Sequence, residues 1–159
     1  SGLVGSEMCI RDRTLERAEP VSQHIEVDFE IWGCPVNGGQ VLAAVRQLLF
    51  GISPLDQKDK VCMECKRQHA VCVMVSEGKP CLGPVTRTGC GAICPRFGRD
   101  CYACFGPAEN INPDALGHRL AGLGLPPSDI ARRFLFINSN APAFADAGKK
   151  HYKRGFADD

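Results

Sequence analysis

Ten cysteines stand at positions 9, 34, 62, 65, 72, 81, 90, 94, 101 and 104 of 159 residues. Eight of them lie between Cys62 and Cys104, in the order C-x2-C-x6-C-x8-C-x8-C-x3-C-x6-C-x2-C. C-x2-C pairs, Cys62/Cys65 and Cys101/Cys104, stand at the two ends of this block. A two-residue spacer lets both thiolates of a pair address one metal centre from a tight turn, which is why it recurs in zinc and iron–sulfur sites. Eight thiolates divide evenly into two four-thiolate sites.

Four chemistries compete for such a block. The first is a pair of [4Fe–4S] clusters. A cluster is bulkier than one ion, so bare backbone must come close to sulfur and leave N–H groups to donate to it. Gly89 and Gly91 flank Cys90, Gly83 follows Cys81 closely, and Cys94 precedes Pro95. Val61, Val71, Val73, Leu82, Val85, Ile93, Tyr102 and Phe105 could supply an apolar shell. Six basic residues (Lys66, Arg67, Lys79, Arg87, Arg96, Arg99) against three acidic ones (Glu64, Glu77, Asp100) would offset part of the negative charge of thiolate-ligated clusters. The second chemistry is zinc, in two four-thiolate sites or one ribbon. Residues 66–100 separate the two pairs, which exceeds the ~15–20 residues usual in a ribbon. The third is a disulfide scaffold, which would spread its staples over the whole fold and follow a secretory signal. The fourth, plain buried cysteines, leaves two C-x2-C pairs in one glycine-rich block without a cause.

Elements must position these thiols. Residues 24–31 (HIEVDFEI) alternate, with Ile25, Val27, Phe29 and Ile31 on one side, and predict a half-buried strand. It leads into the turn Trp32-Gly33-Cys34-Pro35. Residues 38–50 predict a helix with the apolar stripe Val41, Leu42, Val45, Leu48 and Leu49, stopped by Gly51 and Pro54. This strand–loop–helix piece is too small to bury both faces and reads as the end of an α/β unit that begins further upstream. Residues 55–60 are a polar linker. The cysteine block predicts loops with short helical turns. Beyond it, Asn112 and Pro113 open a helix that ends at Gly122 and Gly124, Ser128 caps a second one, and Pro142 starts a third, weaker one. These short helices are expected to pack on a neighbour. Residues 1–13 have no period and no capping logic. They read as translated adapter sequence or as a disordered tail, and Cys9 then has no role.

Bulk properties exclude several classes. The net charge of +1 gives nucleic-acid binding no support. No apolar run approaches the ~18 residues of a membrane span. No Ser/His/Asp arrangement or paired catalytic carboxylates stand out, and Gly38-Gly39-Gln40 lacks the phosphate-loop pattern. His69 could be a ligand but reads as a polar loop residue. His24, His118 and His151 read as exposed. Lys66, Arg67 and Arg99 read as a solvated basic face before a partner site. Trp32 could cover a cluster edge or simply pack.

The stretch Val61 to Pro107, above all PCLGPVTRTGCGAICP, resembles the small electron-transfer subunit of cytosolic [NiFe] hydrogenases, in particular the delta subunit of the NAD(P)-linked sulfhydrogenase type. VDFEIWGCPVN upstream resembles the end of that family's flavodoxin-like domain. The resemblance implies an α+β chain: a strand-plus-helix remnant of a flavodoxin-like domain over 14–57, a loop-rich two-cluster domain over 58–107, and short helices over 108–159. It implies that Cys62, Cys65, Cys72 and Cys81 hold a distal [4Fe–4S] cluster and that Cys90, Cys94, Cys101 and Cys104 hold a medial one. Spacing alone would also permit an interleaved division. Cys34 would be the last ligand of a proximal [4Fe–4S] cluster whose other ligands lie upstream, so the chain reads as an N-terminally truncated piece. The implied role is electron relay, with no catalytic centre on the chain, between a large subunit with its Ni–Fe centre and flavin/NAD(P)-binding and iron–sulfur diaphorase-type subunits in the cytoplasm. The competing readings are a zinc-stabilised four-thiolate binding module and an iron–sulfur relay subunit of another oxidoreductase.

Overall fold

The computed structural model describes residues 19–155. The tail over 1–13, with Cys9, lies outside these residues. Among the described residues the regular elements are helical, and strand pairing is limited to isolated bridges. The strand expected over 24–31 is not formed. A 3-10 turn at Val21–Gln23 is followed by irregular chain to Asn37. The reason is pairing. An alternating pattern becomes a strand only when a neighbour completes its hydrogen-bond ladder, and no described segment runs beside this one. Ile25 and Val27 are accordingly exposed, at 59% and 37%.

Helix α1 (Gly38–Leu49) forms as expected. The Asn37 side chain caps it by accepting from the Gly39 N–H at 2.8 Å, and its amide donates to the Gly89 carbonyl at 2.9 Å. The cap therefore ties α1 to the cysteine block. At the other end Gly51 takes φ 69°, and the N–H groups of Gly51 and Ile52 return to Leu48 and Gln47 at 3.0 and 2.9 Å. The apolar stripe behaves differently from the expectation. Only Ala44 is buried, while Leu42, Val45, Leu48 and Leu49 are exposed, because no described element lies against that face.

The cysteine block consists of short turns, as its composition implies: α2 (Val61–Arg67), α3 (Val73–Ser76), a 3-10 turn at Gly83–Val85, and α4 (Ile93–Arg96). Backbone bonds close it into a unit. Segment 85–88 runs between 58–61 and 106–109, with Thr88 N–H on the Asp59 carbonyl at 2.8 Å and Arg87 N–H on the Gly106 carbonyl at 3.0 Å. Val61 N–H reaches the Thr86 carbonyl at 2.9 Å, and Ala108 N–H reaches that of Val85 at 3.0 Å.

Three helices cover one side of this unit. Asn112 caps α5 (Pro113–Gly122) by accepting from the Ala115 N–H at 2.9 Å. Helix α6 (Pro127–Leu135) starts one residue before the expected cap. Pro126 is the N-cap and Ser128 already lies inside the helix. A proline at the first helical position has its φ preset and no N–H to satisfy, so Pro127 replaces a side-chain cap. Helix α7 (Pro142–Gly155) starts at the expected proline. Phe134 of α6 and Phe144 of α7 are 1% and 0% exposed, with ring centroids 6.1 Å apart. They share one core with Ile130, Leu116, Leu120 and, from the block, Leu82, Val85 and Met74. Each large apolar side chain buried there contributes about 1.5–3 kcal/mol. The three helices thus complete the core of the cysteine block.

His151 is buried, not exposed as its isolated position in the sequence suggests. Its ring stacks on Phe134 at 6.3 Å and lies so close to Gly117 that a Cβ there would come within 2.3 Å of Nε2. A glycine on α5 is what admits this imidazole. His24, His69 and His118 are exposed.

Candidate metal centre

The nine described cysteines are all free thiols. They gather in two groups. In the first, Cys62 and Cys65 stand one turn apart on α2, Cys72 precedes α3, and Cys81 precedes the 3-10 turn. Burial pushes the Cys62 thiol up, and its neighbours Cys81 and Cys72 push it further, while Lys66 and Lys60 oppose. Cys65 is pushed up to about 11 by burial and then by Cys62, Cys81 and Cys72. The four sulfurs lie near enough to act on one another's charge, and Cys90 of the second group also acts on Cys65. Gly83 approaches Cys81 and Cys62 with bare backbone. A Cβ at this position would come within 3.3 Å of Cys81 Sγ and 3.6 Å of Cys62 Sγ, and the Gly83 N–H donates to Cys81 Sγ at 3.4 Å. This is the close backbone-to-sulfur approach that the glycine beside Cys81 predicts.

In the second group, Cys90 lies in a turn before α4, Cys94 on α4, and Cys101 and Cys104 on the loop after it. All four line one cavity of about 410 Å³, walled by Tyr102, Phe105, Phe136 and Ile137. Cys101 is pushed up to about 12 by burial, with its contacts to the Thr86 hydroxyl and the Ala103 backbone opposing. Cys104 is raised by burial and then by Cys94. Cys34 lines the same cavity. The structure therefore brings Cys34 to the second group and not to the first.

The groups adjoin. The Cys101 N–H donates to Cys81 Sγ at 3.3 Å, and the Leu82 N–H donates to the Cys101 carbonyl at 3.0 Å. Burial raises the thiols of Cys62, Cys65, Cys81, Cys90, Cys101 and Cys104, which are therefore neutral at pH 7 when bare. A metal that takes them as thiolates must displace their protons and compensates the desolvation of the charge. Four thiolates on one zinc ion would each stand ~2.3 Å from a single point. Among the described residues no group of three or more Cys, His, Asp or Glu side chains is already arranged to hold a metal ion. Backbone N–H groups of Gly83 and Cys101 are directed at Cys81 Sγ, an arrangement that would suit the sulfurs of a bound iron–sulfur cluster.

The surroundings correct several expectations. Val61, Val73, Leu82, Val85 and Phe105 are buried, and Tyr102 is half-buried. Val71, expected in the same shell, is 69% exposed, while Ile93, 54% exposed, lines the cavity of the second group as expected. Half of the basic residues are already paired: Arg67 with Asp59 at 3.9 Å, Lys79 with Glu77 at 2.6 Å, and Arg87 with Asp56 at 2.9 Å. Trp32 packs against the core, with the Arg87 guanidinium 5.2 Å above its ring.

Sequence reasoning passed over three residues. Glu64, between Cys62 and Cys65, accepts from the Gly89 and Ala92 N–H groups at 2.8 and 3.1 Å. Its position inside a C-x2-C pair was the available signal. The buried Thr86 stands with its hydroxyl 3.5 Å from Cys101 Sγ. Arg133 of α6 pairs with Asp100 and donates to the Pro80 carbonyl at 3.0 Å, so it holds the residues just before Cys101 and Cys81. No local pattern announces a pair 33 residues apart.

No family model matches the chain. It is similar to the delta subunit of sulfhydrogenase 2 of Pyrococcus furiosus, 38% identical over 115 residues that cover 72% of this chain and 48% of that relative. It is also similar to the vhu G subunit of the F420-non-reducing hydrogenase of Methanocaldococcus jannaschii, 34% identical over 111 residues, covering 59% of this chain and 38% of that one. With the iron-sulfur G subunit of the F420-non-reducing hydrogenase of Archaeoglobus profundus the identity is 31% over 121 residues, with 58% and 37% covered. The chain spans about half the length, or less, of these curated relatives.

Proposed function

From the premise that this chain belongs with the delta and G subunits of hydrogenases, we propose that it is the electron-relay part of such an enzyme. In this reading residues 58–107 form the cluster-binding domain, 14–57 are the end of a flavodoxin-like domain, and 108–159 are the covering helices. Cys62, Cys65, Cys72 and Cys81 hold a distal [4Fe–4S] cluster, and Cys90, Cys94, Cys101 and Cys104 hold a medial one. Cys34 belongs to a proximal cluster. When bound, the clusters accept and release one electron at a time. The chain's own work is to set their distance and their surroundings. Electrons would run between the Ni–Fe centre of a large subunit and a flavin/NAD(P)-binding partner, in the cytoplasm. Among the described residues no helix is long and apolar enough to cross a membrane.

The observation that carries this reading is the pair of adjoining thiol groups joined by the Cys101 N–H on Cys81 Sγ. Two sites joined by one hydrogen bond suit electron passage, whereas a purely structural metal pair needs no such junction. The place of Cys34 on the cavity of the second group supports the order proximal, medial, distal. Backbone N–H groups on sulfur and the charges around the block would tune the potentials within the ~1 V range open to such clusters. Anaerobic purification after iron–sulfur assembly tests the proposal. A brown protein with about eight irons and about eight sulfides is expected from two four-thiolate sites. A colourless protein with stoichiometric zinc overturns it.

A further inference from the structure

Glu64 stands on α2 between two cysteines of the first group, yet its carboxylate reaches into the second. Oε1 accepts from the Gly89 N–H at 2.8 Å, and Oε2 accepts from the Ala92 N–H at 3.1 Å. Cys90 Sγ lies 3.8 Å from Oε2. The two N–H groups bracket Cys90, so one side chain grips the turn that presents this thiol. Ala92 is fully buried and holds φ 52°, a left-handed backbone that this grip helps to maintain. Two backbone donors hold the carboxylate in place. Once Cys90 binds metal it no longer has a proton to offer, and the carboxylate then faces a second negative group.

Two consequences follow from elementary electrostatics. The grip fixes Cys90 relative to Cys62 and Cys65, and so fixes the separation of the two centres. The charge disfavours an added electron on the nearer centre, because like charges a few ångströms apart repel even at the effective dielectric of a half-buried site. The contacts of Glu64 lie on Cys90 and its flanking turn and not on Cys62 or Cys65, so the effect falls mainly on one centre. We infer that Glu64 is a positioning residue for the cluster held by Cys90, Cys94, Cys101 and Cys104, and that it lowers that cluster's reduction potential while linking it to the other. The inference rests on the proposal that both groups hold iron–sulfur clusters.

The test uses the full chain with its clusters assembled, titrated with redox mediators and followed by EPR, beside E64Q and E64D. Iron content is counted first. About eight irons in the parent chain uphold the two-cluster proposal, and a markedly different count overturns that proposal independently of Glu64. E64Q preserves shape and one acceptor but removes the charge. It is expected to keep its iron and to raise the reduced-to-oxidised ratio of the Cys90 cluster at fixed potential at least tenfold, ~59 mV for a one-electron couple. The Cys62 cluster should move less, and E64D, which keeps the charge, should stay near the parent ratio. An unchanged Cys90 cluster in E64Q, or equal shifts of both clusters, overturns the inference. If E64Q loses iron, E64D decides: a cluster kept at the parent ratio upholds the role, and a shifted or lost one overturns it.

Discussion

Replacing Arg133 with Met tests whether helix α6 holds the two thiol groups in register. The Arg133 side chain is 23% exposed and that of Asp100 12%, so the pair is largely removed from water. The guanidinium also donates to the Pro80 carbonyl at 3.0 Å and lies 5.4 Å from the centroid of the Tyr102 ring. R133M removes all three contacts and leaves the Asp100 carboxylate buried without its partner. Breaking a buried ion pair from one side costs ~3–5 kcal/mol, and partial exposure puts the expected loss near the low end, at about 3 kcal/mol. D100N/R133M removes the stranded charge and should lose only ~1–2 kcal/mol, chiefly the Pro80 hydrogen bond and side-chain packing. The coupling between the sites is then at least ~1–2 kcal/mol, larger by whatever D100N loses alone, within the usual range for contacting residues. Urea unfolding of the four proteins of the cycle, followed by circular dichroism, supplies these values. Asp100 and Pro80 immediately precede Cys101 and Cys81, so R133M should also release iron to a chelator faster than the parent does. A single-variant loss below ~1 kcal/mol, or additive effects within ~0.5 kcal/mol, would refute the reasoning.

Three further outcomes are expected. Cys94→Pro should convert the second centre towards a three-iron form, because Cys94 occupies an early position of α4 that tolerates proline while losing its thiolate; an unchanged iron count and EPR spectrum would contradict the ligand assignment. Cys34→Ser should leave about eight irons in the isolated chain, since eight other thiols make up the two sites; the loss of about four irons would make Cys34 a ligand of the second site. In the metal-free chain the folded thiols are raised by burial, Cys65 to about 11 and Cys101 to about 12, from 9.0. The folded state therefore binds more protons than the unfolded one above pH 9, and stability should be full below that pH and fall between pH 9 and 12. Thermal unfolding across this window, with a rise in stability towards pH 12 as the refuting result, checks the sign.

Local chemistry was legible in the residues themselves. Asn112 with Pro113, Gly51 after Leu49, and Pro142 each announce a helix boundary through groups a few positions apart, and the boundaries form there. The glycine beside Cys81 announces backbone near sulfur for the same reason. Ser128 misled because Pro127, one residue earlier, serves the helix start without a side-chain cap. The alternation over 24–31 misled because a strand is a property of two segments, and side-chain alternation describes only one.

The amino-acid sequence by itself determined the donor chemistry: eight clustered thiols, paired at both ends, with glycines that admit bare backbone. Tertiary structure alone decided which thiols line the second cavity, that Cys34 lines it too, that Glu64 on one group's helix grips the other group's turn, and that His151 is enclosed between α5 and α6. The physical reason is range. Spacing and capping act over a few residues and are written in the order of the chain, whereas these contacts join segments far apart in it and exist only in the folded chain.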